Sequence, residues 1–103
     1  MSAAVPDSPS LQRHIVVLVY PDVMALDFCG PMEAFAMANF YANRGLYRLS
    51  IAALTTDPVK TSIGCCIVPN YALADLEGPI DTLLVAGGYG YVAAFREDRK
   101  SVV

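Results

Sequence analysis

Two short stretches gather the residue types that perform chemistry. The first is Leu26-Asp27-Phe28-Cys29-Gly30-Pro31-Met32-Glu33. It sets the carboxylate of Asp27 in an apolar run, where a charge needs a partner. Asp27 is therefore a candidate acid, although a carboxylate at a helix start is also a common stabilising device. Glu33 lies three residues after Gly30. With Gly30 as the cap and Pro31 as the first helical residue, the Glu33 side chain would reach back to the cap N–H, a structural role. A helix start favours a reactive thiol at Cys29. No histidine or other base accompanies it, and a buried free cysteine behaves as a small apolar residue.

The second stretch is Gly87-Gly88-Tyr89-Gly90, directly after an apolar run. Its backbone N–H groups could cradle an anion. It lacks the glycine spacing of a dinucleotide site and the lysine of a P-loop. A tight strand-to-helix turn is the plainer reading. Cys65 and Cys66 sit in a strand-like segment, and His14 is the single histidine. An odd cysteine count with two adjacent residues is not a disulfide framework, and no spacing fits a zinc site. No metal and no cofactor is expected, and the free thiols suit a reducing cytoplasm.

The elements that would position these residues follow from periodicity. Ile15-Val16-Val17-Leu18-Val19-Tyr20 is apolar on both faces, the mark of a central parallel strand, and Pro21-Asp22 turns the chain. Residues 23–43 are helical in character, with Phe28, Met32, Phe35, Ala36 and Asn39 near one face. Apolar residues elsewhere on its circumference predict a well-buried helix. Pro31 either starts the main helix or kinks it, and Gly45 is a natural stop. Residues 46–54 predict a second strand, 59–68 a short strand or hairpin broken by Gly64, and 69–79 a loop with one helical turn at 73–76. Residues 81–86 predict a third buried strand, and 91–100 the start of another helix.

Strands alternating with helices predict an α/β fold, a parallel sheet with helices on both faces. Ligands in such sheets sit beyond the carboxyl ends of the strands. Residues 22–33 and 87–90 both follow the carboxyl ends of buried strands, so the two stretches are expected to lie side by side.

A chain of 103 residues holds one domain. Residues 1–13, rich in Ser, Pro and Ala, predict a disordered lead-in. The longest strand-like apolar run is too short to span a membrane, and no membrane contact is expected. A net charge of −3 opposes a nucleic-acid surface within this segment. The basic trio Arg96, Arg99 and Lys100 fits the polar face of a helix. The 55% hydrophobic share is high for so short a chain, which buries a smaller fraction of its surface than a large one. Some apolar residues are expected to meet a partner, a second copy or a further part of the chain.

Taken together, residues 15–23 leading into Leu26-Asp27-Phe28-Cys29-Gly30-Pro31-Met32-Glu33-Ala34-Phe35, with Asp81-Thr82-Leu83-Leu84-Val85-Ala86-Gly87-Gly88 beyond, resemble the opening of DJ-1/PfpI (class I glutamine amidotransferase-like) domains. The resemblance covers residues 15–99. It implies a flavodoxin-like fold, of which residues 14–103 form the N-terminal half. The Leu-Asp-x-x-Gly-Pro-x-Glu-x-Phe form looks most like two branches: the N-terminal ligand-sensing domain of AraC-family transcriptional regulators, and the isocyanide hydratases. The resemblance implies a nucleophilic cysteine at a strand-to-helix elbow, an acidic partner matched by Asp27, and backbone N–H groups near Gly87 and Gly88. Ala86 stands where many relatives have proline.

The elbow cysteine and the regulators' helix-turn-helix pair fall later in the family than Val103. The chain as given is therefore expected to be truncated, non-catalytic and without a DNA contact of its own. Three expectations follow. One is a sensor module with an unknown small-molecule ligand, self-associating, with DNA bound only through a further C-terminal domain. Another is part of a cysteine enzyme in which Asp27 assists a downstream nucleophile. The plainest is a flavodoxin-like fragment that self-associates. Asp27, Gly30, Gly87 and Gly88 are the candidate site residues.

Overall fold

The computed structural model describes residues 12–88. A run of β-branched residues gives β1 (Arg13–Leu18), whose Ile15, Val16 and Val17 are at most 1% exposed. β1 is flanked by parallel neighbours, β2 (Tyr47–Ala53) and β6 (Thr82–Val85), with Val17 opposite both Ile51 and Leu84. The order is β5-β2-β1-β6, all parallel, where β5 (Tyr71–Ala72) pairs with the end of β2. β3 (Val59–Lys60) and β4 (Cys66–Ile67) form a small antiparallel ladder. A 3-10 turn over Leu73–Asp75 follows β5. The expected parallel α/β sheet is present, as is the hairpin around Gly64. The two-residue β5 is too short to show a period.

The single α-helix among the described residues, α1 (Ala25–Ala42), starts six residues before Pro31. This corrects the cap assigned to Gly30 and Glu33. Met24 is the N-cap, without a side-chain cap bond. Tertiary anchors set this start: the Met24 N–H donates to the Gly87 carbonyl (2.9 Å), and Val23 and Phe28 are buried. Pro31 lies inside the helix and has no N–H to give the Asp27 carbonyl one turn earlier. A residue before proline is normally driven from helical geometry by its own Cβ and N–H, and Gly30 brings no Cβ to that clash.

α1 lays Phe28 and Met32 on the core of Val17, Val19, Ala53 and Ala86. Further along, the Phe35 ring meets Tyr47 edge-on at 4.8 Å. Asn39 then clasps β2: its Nδ2 donates to the Tyr47 carbonyl and its Oδ1 accepts from the Tyr47 N–H, each at 2.9 Å. The expected apolar face is therefore the contact face. The rest of the helix departs from expectation, because Leu26, Phe40 and Tyr41 are all more than 70% exposed. Asn43, at φ 58°, ends the helix, two residues before the glycine assigned that task; asparagine tolerates this left-handed geometry.

β6 is also less buried than expected. Thr82 and Leu84 face the α1 side, while Leu83 and Val85 on the other side are 51% and 63% exposed. Among the described residues β6 has a strand neighbour on one side only, β1. The predicted lead-in falls outside the described residues as far as 11. Arg13 already belongs to β1, and the Gln12 side chain donates to the Gly45 carbonyl at 2.8 Å. The helix expected over 91–100, with its basic trio, and the Tyr89-Gly90 end of the glycine stretch also lie outside the described residues.

Candidate functional site

β1 and β6 are neighbours, yet the chain leaving β1 travels through α1 to β2 on the opposite side. The carboxyl ends of β1 and β6 therefore flank a switch point, where parallel sheets open a crevice. The first suspected stretch meets Gly87 and Gly88 of the second there, as their order in the sequence implied.

The chain from Tyr20 to Met24 is clamped from two directions. The Asp22 N–H donates to the Lys60 carbonyl (2.8 Å), and the Ser62 N–H to the Val23 carbonyl (2.9 Å). Val23 bridges Thr61 on one side and Gly88 on the other. Asp22 takes φ 68° to make the turn, a conformation aspartate tolerates better than most residues. The Tyr20 hydroxyl donates to the Ala86 carbonyl at 2.6 Å, tying the ends of the two strands together.

Asp27 is the third residue of α1, where a negative charge is favoured by the helix dipole. Its carboxylate lies directly over Gly87: a Cβ built on Gly87 would stand 2.5 Å from Asp27 Oδ2. Gly88 is tighter and of a different kind. A Cβ there would come within 2.7 Å of the Asp22 carbonyl oxygen, the Val23 Cα and the Met24 nitrogen, all backbone atoms. Gly87 makes room for a side chain, and Gly88 makes room for the main chain. Gly30 lies one turn beyond Asp27, and a Cβ there would meet nothing within 4 Å outside its own helix backbone and chain neighbours. It borders open space.

Asp27 is exposed, so water can solvate the charge that its apolar run would leave in need of a partner. A solvated carboxylate held over a glycine turn can accept hydrogen bonds from an incoming group. Cys29 is exposed rather than buried, and Cys65 and Cys66 are exposed in the hairpin. Cys29 is two residues from Asp27, a spacing that does not place two helical side chains on one face. No cluster of three metal-ligating side chains occurs among the described residues.

Sequence reasoning missed a polar pair at the other end of the sheet. His14 and Ser50, 5% and 3% exposed, are joined by a 2.8 Å contact between His14 Nε2 and Ser50 Oγ. Burial, with the Arg48 guanidinium adding to it, holds the His14 imidazole below the ordinary histidine value of 6.5. The register of β1 on β2 creates this pair. A single histidine with no partner nearby in sequence gives no local signal of it.

No family model matches the chain. An uncharacterized protein in the cpoL 5′ region of Streptomyces lividans is 42% identical over 76 residues, 74% of this chain and 52% of that protein. Among solved structures, a ThiJ/PfpI family protein from Pseudomonas syringae superposes with a TM-score of 0.64 at 26% identity, covering 87% of this chain and 38% of that one. Drosophila melanogaster DJ-1beta gives 0.66 at 21% identity, over 81% of this chain and 42% of that one. The chain has the fold of the DJ-1/PfpI proteins. An AraC family transcriptional regulator from Pseudomonas putida shares the DJ-1/PfpI fold with it, with a TM-score of 0.64 at 19% identity, over 86% of this chain and 59% of that one. The chain spans about half the length of the curated relative it matches.

Proposed function

We propose that this chain is the N-terminal part of the amidotransferase-like ligand-sensing domain of an AraC-family transcriptional regulator. The observation that carries the reading is the Asp27 carboxylate set over Gly87 at the β1–β6 switch point. An exposed acceptor beside a glycine turn suits reversible capture of a small ligand. The likeness to the Pseudomonas putida regulator supports it. In this reading Asp27 accepts a hydrogen bond from the ligand, Gly87 and Gly88 hold the turn after β6 open, and Gly30 borders the entrance. DNA is contacted through a further C-terminal domain rather than through these residues. The regulator acts as a homo-oligomer in the cytoplasm. Exposed Leu26, Phe40 and Tyr41 on α1 provide apolar surface for self-association. No helix among the described residues is long and apolar enough to cross a membrane.

The experiment is to read the coding sequence past the Val103 codon. A helix-turn-helix pair downstream is the expected result, and an open reading frame without one removes the regulator reading. The same Asp27–Gly87 contact favours a second reading, part of a cysteine enzyme such as an isocyanide hydratase, with Asp27 orienting a proton beside a downstream thiolate. There, Asp27→Asn in the full-length protein is expected to lower kcat by about 10²-fold or more. Undiminished turnover takes Asp27 out of any catalytic role.

A further inference from the structure

We propose that the cavity at the carboxyl ends of β1 and β2 is a second ligand site, separate from the Asp27 crevice, for a small zwitterion with an apolar body such as an apolar amino acid. The cavity has a volume of about 470 Å³, within the roughly 300–1,000 Å³ of small-molecule sites. Asp27, Gly87 and Gly88 do not line it. Buried Val19, Ala53 and Val59 line it, and Leu54 on its wall is 82% exposed. A leucine held in water against apolar walls suits a ligand that covers it.

Two charges decide the ligand class. Asp57 and Lys60 line the same cavity, and neither has an ion-pair partner among the described residues. A simple anion would satisfy Lys60 but face the carboxylate of Asp57. A simple cation would meet the converse. A molecule that carries both charges satisfies both residues, and its apolar body covers Leu54. The frame is set in advance. Pro58 restricts the backbone of Asp57, and Lys60 is fixed in β3, with its carbonyl accepting from the Asp22 N–H at 2.8 Å. Tyr20, another lining residue, is held by its bond to Ala86.

The test titrates the ¹⁵N-labelled chain with L-phenylalanine, 3-phenylpropanoate (no amine) and 2-phenylethylamine (no carboxylate), following backbone amide shifts. Phenylalanine is expected to give saturable shifts over residues 54–60, and each analogue to bind at least tenfold more weakly. Asp57→Asn and Lys60→Met are each expected to weaken phenylalanine at least tenfold while leaving the melting temperature unchanged. Asp27→Asn is expected to leave it unaltered, which separates this site from the crevice. The absence of saturable shifts with phenylalanine overturns the proposal. So does equal binding by either singly charged analogue, or loss of binding in Asp27→Asn.

Discussion

The two ends of the parallel sheet handle polar groups in opposite ways. At the amino end they are matched in pairs. His14 meets Ser50 out of water, and Arg13 reaches Asp81 across 4.0 Å at the surface. At the carboxyl end, the Asp27 carboxylate stands exposed over a glycine, and a second glycine lets two stretches of backbone nearly touch. Matched and buried polar groups specify a fold, whereas an open acceptor in a crevice is available to a ligand. In the proposed function, the carboxyl end meets the ligand and the amino end does structural work. It also separates the adjacent glycines Gly87 and Gly88, which look equivalent in the sequence.

The largest break in this comparison is expected at Gly88. Gly88→Val forces a side chain onto three backbone atoms that cannot swing aside, at a cost of about 3 kcal/mol. A urea midpoint unchanged from the parent chain would show that the close approach is not required. His14→Ala comes next. It leaves the buried Ser50 hydroxyl unpaired and opens a cavity, for a loss of about 2 kcal/mol by the same measurement.

His14 also makes the amino end sensitive to pH. Its folded-state pKa is depressed below 6.5, so the unfolded chain binds the proton more readily. Stability from this group is complete above 6.5 and falls as pH drops through 6.5 towards the lower folded value. Urea curves across that window are expected to shift for the parent chain and less for His14→Gln. Parallel slopes for the two proteins would remove His14 as the cause.

Much of the frame was legible in the sequence. The β-branched run 15–20 announced a strand covered on both faces, and alternation of element types announced parallel pairing. The meeting of Asp27 with Gly87 followed from topology alone, since both lie beyond the ends of strands in one sheet. The helix start was misread because Gly30, Pro31 and Glu33 carry a local capping pattern. The long-range bond from Met24 to Gly87 and the burial of Val23 and Phe28 outweigh it. The His14–Ser50 pair was illegible for a similar reason, because strand register creates it and local spacing does not.

Smaller effects sharpen the contrast at the carboxyl end. Gly87→Ala meets only the movable Asp27 side chain and is expected to cost about 1 kcal/mol. The same change in an Asp27→Ala background is expected to cost about half as much, a coupling read from a double-mutant cycle. Equal costs in both backgrounds would mean that the carboxylate does not press on Gly87. Gly30→Ala is expected to be close to neutral, because its helix-propensity gain of about 1 kcal/mol is offset by the clash before Pro31. That gain should reappear when Pro31 is first changed to Ala.

The bond from Tyr20 to Ala86 has a consequence for assembly. It joins residues 66 positions apart in the chain, and Asp27 and Gly87 are 60 apart. Neither contact can form until β6 has docked beside β1, so the crevice depends on long-range strand pairing rather than on a local motif. Docking of β6 and filling of the crevice are then linked equilibria. In the proposed function, a molecule bound between Asp27 and the glycine turn would hold β6 against β1, to be read as slower hydrogen exchange along β6.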